Sequence, residues 1–297
     1  MRMDSQQIHL EVLHSPEQFH VCEKLQQAIW QSDPVDVVPA HMLSTAQRHG
    51  GLALGAFDAS DNMIGCLFGF AGRVANDNLA ATGQVKWQHC SHFTGVIREW
   101  RGRGVGYRLK LAQREWALTQ GIELITWTYD PLEAANAALN LGKLGAVCRC
   151  YLHNFYGEMA GGLNAGLPSD RFEVAWWIGS ERVRTRIENG WQSPNLESLK
   201  TAGVTIINEA TPRADAFSEA GSLQPVAGEK LLIEIPSNIQ AMKAANSKLA
   251  IAWRLSVRQA CEAVFSMGYT CTDMIRSKRG GISPIFYLLE KGKNKAL

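Results

Sequence analysis

The run Val96-Ile97-Arg98-Glu99-Trp100-Arg101-Gly102-Arg103-Gly104-Val105-Gly106-Tyr107-Arg108-Leu109-Lys110 is the most chemically suggestive part of the chain. Its glycines let the backbone turn tightly and approach a ligand with no Cβ in the way. A helix opening near Val105 points its unsatisfied N–H groups into that turn, which makes an anion cradle. Arg98, Arg101, Arg103, Arg108 and Lys110 against Glu99 add fixed positive charge around the helix start. The implied ligand carries phosphates. A Walker A loop needs Gly-Lys-Ser/Thr at the helix start, and the chain has none. A dinucleotide fingerprint opening at Gly102 and Gly104 needs a glycine where Tyr107 stands.

The pattern Arg101-x-x-Gly104-x-Gly106 resembles the acyl-CoA pyrophosphate loop of the GNAT acyltransferase superfamily. The preceding strand, the following helix, a further strand and then Asn136 ahead of Lys143-Leu144-Gly145 fall in that superfamily's order, over roughly residues 8 to 180. The phrases Trp127-Thr128-Tyr129-Asp130-Pro131, Tyr156-Gly157 and Ser169-Asp170-Arg171-Phe172 are similar to a little-characterised subgroup, some of whose members are associated with N-acylation, including N-succinylation, of amino acids. The resemblance implies that acetyl-CoA or another acyl-CoA is the cosubstrate. Backbone N–H groups from Arg101 to Gly106 would hold its pyrophosphate, the strand edge at Val96, Ile97 and Arg98 would take the pantetheine arm, and Asn136 would touch the arm from the other side. A small-molecule amine is the implied acceptor.

Such chemistry needs a neutral amine to attack the thioester, donors for the developing oxyanion and a proton for the departing thiolate. Many superfamily members place a tyrosine four residues before the glycine of the Leu-Gly element; here that position is Leu141. Tyr151 and Tyr156 lie downstream as substitutes, each with a structural role in an aromatic core as the alternative. His92 is a proton relay for the amine, or an ordinary histidine. Arg171 is a fork for a carboxylate on either substrate, or the local partner of Asp170. Trp127, Trp176 and Trp177 read as core or as pocket walls. His89-Cys90-x-His92 and Cys148-x-Cys150-x-x-His153 offer zinc-type ligands, and strand alternation would put Cys90 with His92, and Cys148 with Cys150, on common faces. That spacing fits no standard zinc module, so no metal is expected. A non-catalytic acyl-CoA-binding module and a small metal-dependent enzyme are the competing readings.

The elements that must hold these residues read as α+β: a GNAT-like central mixed sheet flanked by helices over residues 1–189, then a C-terminal α+β block over residues 190–297. Ile8, Leu10 and Val12 alternate as in a strand, and Ser15-Pro16-Glu17-Gln18 is a capping box opening a helix through Phe19, Cys22, Leu25 and Ile29 that Asp33-Pro34 ends. Residues 52–57 and 63–70 form a hairpin, 72–88 a loop, 93–98 a strand, 105–120 a helix capped by Gly121, and 122–129 a strand. Asp130-Pro131 opens the next helix, and Phe172 to Ile178 is a strand. Asn208 to Glu229 reads as a linker. Beyond it come a strand at 231–235, a helical region from Pro236, a helix to Met267, and strands at 269–275 and 285–289 around Lys278-Arg279-Gly280-Gly281.

With 46% hydrophobic and 20% charged residues the chain is an ordinary globular one. Its 30 basic and 28 acidic residues leave +2, which gives no chain-wide field for nucleic acid or membrane. No apolar run approaches the roughly 20 residues that span a bilayer. Seven cysteines, an odd number without framework spacing, point to a reducing, cytoplasmic setting.

Overall fold

The computed structural model describes residues 8–31, 33–74, 86–157, 166–215, 217–277 and 283–292. The chain forms two compact units that divide between Trp127 and Thr128, a different division from the sequence blocks 1–189 and 190–297. Both are mixed α and β, with mostly antiparallel sheets flanked by helices.

In the first unit strands β1 (His9–Val12), β2 (Leu52–Phe57), β3 (Met63–Arg73) and β4 (Trp87–Val96) are neighbours in that order and antiparallel, and the part of β5 (Leu124–Tyr129) that belongs to this unit, through Trp127, lies parallel to β4. Helix α1 (Pro16–Trp30) opens on the expected capping box: Ser15 Oγ accepts from Gln18 N–H at 3.2 Å, and Gln18 Oε1 accepts from Ser15 N–H at 3.1 Å. Helix α2 (Ala40–Arg48) has no counterpart in the sequence reading; Ala40 and Leu43 turn its apolar side into the cluster of Phe19, Cys22 and Phe68. Helix α3 (Val105–Thr119) packs its Val105 and Leu109 against Leu52, Leu54, Ile64 and Leu67 in a separate cluster. The expected loop over 72–88 is wrong at both ends. The hairpin ladder continues to Arg73↔Trp87, so β3 is longer and β4 starts earlier than the strand expected at 93, and Ile97 and Arg98 lie beyond its end; residues 75–85 lie outside the described ones.

In the second unit β6 (Val147–Leu152) and β7 (Arg171–Trp177) are antiparallel, and β6 meets the C-terminal strand β12 (Tyr269–Arg276) at Cys148↔Cys271. Strands β8 (Thr205–Ile206), β11 (Lys230–Ile235) and β13 (Ile285–Lys291) complete this part of the sheet, while β9 (Thr211–Pro212) and β10 (Ser218–Glu219) form a separate ribbon. The helix expected from Asp130-Pro131 starts later, as α4 (Ala134–Ala137), and continues as a π-helix over Ala138–Lys143. Asp130 Oδ1 accepts from Leu132 N–H at 2.8 Å and makes 130–133 a turn instead. Helices α5 (Glu181–Asn189) and α6 (Leu196–Thr201) precede the segment expected as a linker. That segment is pinned at its start: Asn208 is fully buried, pairing through its amide with Glu234 O at 2.9 Å and Glu234 N–H at 2.7 Å. Pro236 starts no helix; Asn238 caps α7 (Ile239–Ala245) and Asn246 caps α8 (Ser247–Ser266). The expected turn at 278–281 lies outside the described residues. Among the described residues no helix is long and apolar enough to cross a membrane.

Candidate functional site

Strand β4 ends at Val96, Ile97 N–H donates to Ile64 O at 3.0 Å, and a short 3-10 turn over Arg98–Trp100 delivers the chain to the glycine turn. Gly102 and Gly104 have φ of +76° and +83°, and a Cβ at either would meet nothing within 4 Å, so the demand for glycine is purely conformational. Gly104 is the N-cap of α3 and offers no side chain, which leaves the first-turn N–H groups of Val105, Gly106 and Tyr107 without a side-chain cap. Gly106 differs from its neighbours. Its φ is not left-handed, and the nearest atom to a Cβ there would be Val96 Cγ2 at 3.8 Å, so nothing within the folded chain requires glycine.

The arginines of the turn divide into two kinds. Arg101 donates through Nε to Val96 O and through Nη2 to Ile29 O, both at 3.1 Å, and so clamps the turn to the carbonyl end of α1. Arg108 donates to Ile8 O at 2.6 Å. Arg98 and Arg103 are exposed and, among the described residues, their side chains make no hydrogen bond or ion pair; the Arg103 guanidinium lies 5.0 Å from the centre of the Trp100 ring. Lys110 corrects the sequence reading of a basic cluster, because it is buried on the sheet side of α3 and adds no charge to the exposed turn.

Strand β4 carries a bulge. Its register against β3 runs Phe68↔Phe93 and then Gly69↔Ser91, which leaves His92 as the extra residue. One extra residue exchanges the two faces: Ser91 meets α3 through Lys110, whereas Phe93 packs into the α1 cluster. The bulge also breaks the alternation expected to align Cys90 with His92. Parallel pairing of β4 with β5 comprises His89↔Ile125 and Cys90↔Thr126, so the β4 edge from Ser91 to Val96 runs beyond it toward the glycine turn. His92, expected at the start of the strand, therefore stands in its middle, on that edge. It is exposed, yet the rings of Phe68, Phe70 and Phe93 lie about it at 6.0–6.1 Å, and desolvation lowers its pKa, favouring the neutral imidazole.

In the second unit Tyr156 and Arg171 come together, the guanidinium 5.1 Å from the ring centre. The Tyr156 side chain is exposed and its hydroxyl is 2.9 Å from Thr128 Oγ1. Arg171 is buried and donates through Nη1 to Asp170 O at 2.8 Å. The hydrogen bonds to the Asp170 carboxylate come from elsewhere: Arg258 donates to both oxygens at 2.8 Å, Tyr151 O–H donates to Oδ2 at 2.6 Å, and Asn154 N–H donates to Oδ1 at 2.9 Å. Burial alone would raise the Asp170 pKa, but these donors outweigh it and hold the carboxyl below its ordinary value. Tyr151 moves the other way, raised by burial and by the Asp170 carboxylate, so its proton is committed. Arg254, one turn before Arg258 on α8, is fully buried and pairs with Asp130. These two arginines were not among the expected functional residues, although their spacing of four on one helix face was readable.

Asn136 is exposed on the first turn of α4, and Leu141, at the usual tyrosine position, is wholly buried. Trp176 is a core residue whose indole N–H donates to Leu144 O at 2.8 Å. A second bulge, between Cys148 and Cys150, interrupts the alternation expected for that pair. Among the described residues no three His, Cys, Asp or Glu side chains come together as a metal site.

No family model matches the sequence, and no curated protein matches it. Solved structures do. The chain resembles GNAT acetyltransferases. Arabidopsis thaliana NAA60 in complex with a bisubstrate analogue is 14% identical over 58% of this chain and 100% of its own, with a TM-score of 0.47. The ribosomal-protein-S18-alanine N-acetyltransferase from Escherichia coli is 14% identical over 59% of this chain and 96% of its own, with a TM-score of 0.44. Chaetomium thermophilum Naa20 in complex with a bisubstrate analogue is 14% identical over 62% and 94%, with a TM-score of 0.43.

Proposed function

We propose that this chain is an acyl-CoA-dependent N-acyltransferase that moves an acyl group, acetyl or succinyl, from CoA to the amine of a small molecule such as an amino acid. The observation that carries the reading is the continuity of the β4 edge from Ser91 to Val96 with a glycine turn that ends on an uncapped helix start. An extended pantetheine arm fits such an edge, and pyrophosphate oxygens fit the N–H groups of Val105, Gly106 and Tyr107, with Arg98 and Arg103 supplying exposed positive charge.

In the reaction the neutral amine attacks the thioester carbonyl, the C–S bond breaks as the tetrahedral intermediate collapses, and the amine's proton leaves while the thiolate gains one. His92, whose desolvation favours the neutral imidazole, is the candidate to accept the amine's proton. Tyr156 keeps an accessible hydroxyl suited to protonate the thiolate, whereas Tyr151 holds its proton against Asp170. Arg171 remains the candidate for a substrate carboxylate.

The test is release of free CoA thiol from acetyl-CoA and succinyl-CoA against a panel of amino acids and polyamines. Thiol release that depends on an added amine supports the proposal. Acyl-CoA binding without release for any amine would replace it with a binding module, and no binding at all would discard it.

A further inference from the structure

The π-helix over Ala138–Lys143 carries a polar side chain that the fold itself does not use. Asn140 is 3% exposed, and among the described residues its carboxamide makes no hydrogen bond. Neither its oxygen nor its nitrogen is sealed off, so the little accessible surface that Asn140 keeps includes the amide. The buried Asn208 is the contrast, its amide satisfied on both sides by Glu234 O and Glu234 N–H. Burying an amide without a partner costs free energy, and one that still reaches the surface from this depth points to a ligand rather than to the core.

The backbone that carries Asn140 is held firmly. Leu144 N–H donates to Leu139 O at 2.9 Å and Ala146 N–H to Asn140 O at 3.0 Å, a widened turn of the kind found mostly at functional sites. Arg186 Nη1 donates to Gly142 O at 3.2 Å and Arg182 Nε to Gly145 O at 2.9 Å. The Trp191 ring closes on Gly142, where a Cβ would stand 2.7 Å from it, and the indole N–H is tied to Asp273 Oδ1 at 3.1 Å. These contacts fix the amide before a ligand arrives, which is the condition for electrostatic catalysis.

Its place on the helix says which ligand. Asn140 follows Asn136 by four residues, about one turn, which sets both on one side of the helix roughly 6 Å apart along its axis. The next step rests on the acyltransferase reading, in which Asn136 lies against the pantetheine arm, so that Asn140 meets the adjoining part of the thioester. In that reading His92 takes the amine's proton and Tyr156 protonates the thiolate, while the developing oxyanion has no side-chain donor. A carboxamide is neutral and yields no proton, which suits it to the oxyanion and to neither of the other two roles.

We propose that Asn140 is a further catalytic residue, whose Nδ2–H donates to the thioester carbonyl oxygen as the amine attacks. The N–C bond forms and the carbonyl π pair moves onto oxygen, where Asn140 stabilises it. The pair then returns, the C–S bond breaks, and sulfur leaves as the thiolate. Asn140 transfers no proton.

The test uses the full chain with Asn140→Leu, which keeps the volume and removes the donor, and Asn140→Asp, which keeps the shape and puts an acceptor there. Each is expected to lower kcat for thiol release by about 100-fold or more while the Kd for acetyl-CoA stays within about twofold. Infrared spectra of carbonyl-labelled acetyl-CoA, bound without amine, give a readout that a merely structural role would not move. The carbonyl stretch is expected at lower frequency on the wild type than in solution, with the shift lost on both variants. If Asn140→Asp does not fold, Asn140→Leu carries both measurements. A folded variant with kcat within about threefold of the wild type, or one that leaves the bound carbonyl stretch unchanged, overturns the inference and leaves the acyltransferase reading standing. If the wild type binds acetyl-CoA but releases no thiol with any amine, that reading falls, and the stretch alone decides whether Asn140 meets the carbonyl. Failure to bind any acyl-CoA removes both.

Discussion

Replacing Gly106 by alanine should separate ligand binding from folding. The residue lies in the first turn of α3, its backbone is not left-handed, and a Cβ would make only an ordinary 3.8 Å contact with Val96 Cγ2. The methyl therefore costs the folded chain nothing, and the relief of glycine's backbone entropy in a helix is worth about 0.5–1 kcal/mol, or about 1–4 °C in Tm. For the ligand the same methyl stands where a phosphate must approach the N–H groups. Losing one such charge-assisted hydrogen bond, at about 1.5–3 kcal/mol, weakens CoA binding roughly 10–100-fold. Gly104→Ala provides the contrast, because φ of +83° strains any L-residue by roughly 1–2 kcal/mol. That variant should lose both stability and affinity. Calorimetric titration with CoA alongside thermal melts reads both quantities. A Gly106→Ala protein that melts at or above the wild-type temperature and binds CoA within twofold of it would refute the pyrophosphate assignment.

Arg103→Ala should weaken CoA binding with Tm unchanged, whereas Arg101→Ala should lower Tm as well, since Arg101 holds Val96 O and Ile29 O; calorimetry and melts distinguish them. Asp170→Asn should destabilise the fold by about 3–5 kcal/mol in denaturant titration, because it leaves the Arg258 charge without its partner; Tyr151→Phe should cost only about 1 kcal/mol. His89, buried with no hydrogen-bond partner for its ring nitrogens among the described residues, has its pKa lowered to about 4, chiefly by desolvation and then by Lys110. Its folded value lies below the unfolded one of about 6.5, so its neutral form stabilises the fold fully above that pH, and the contribution falls by about 3 kcal/mol as pH drops to 4. His89→Gln should flatten that part of the stability profile. Tyr156→Phe should lower kcat for thiol release with little change in acyl-CoA affinity.

What the sequence revealed of this fold follows the range of the interactions involved. The capping box at Ser15–Gln18 and the turn at Gly102–Gly104 are set by neighbours along the chain, and both stand as expected. Strand β4 was cut short because the bulge at His92 breaks the period of two on which strand recognition depends. Lys110 read as one more cation beside the turn, yet Val105, Leu109, Lys110, Gln113 and Ala117 are the buried face of α3, and a helical projection of those five positions places it inside. The partners of Asp170 and Asp130 were out of reach for a different reason. Arg258 and Arg254 are 88 and 124 residues away, and only the packing of α8 chooses them over the adjacent Arg171.

Backbone hydrogen exchange with and without bound acyl-CoA, succinyl-CoA and acetyl-CoA in turn, reads out which amides meet the thioester. Added protection is expected at Val105, Gly106 and Tyr107 and along Ser91 to Val96. Binding that protects other segments and leaves these amides exchanging as in the free protein would contradict the acyl-CoA assignment.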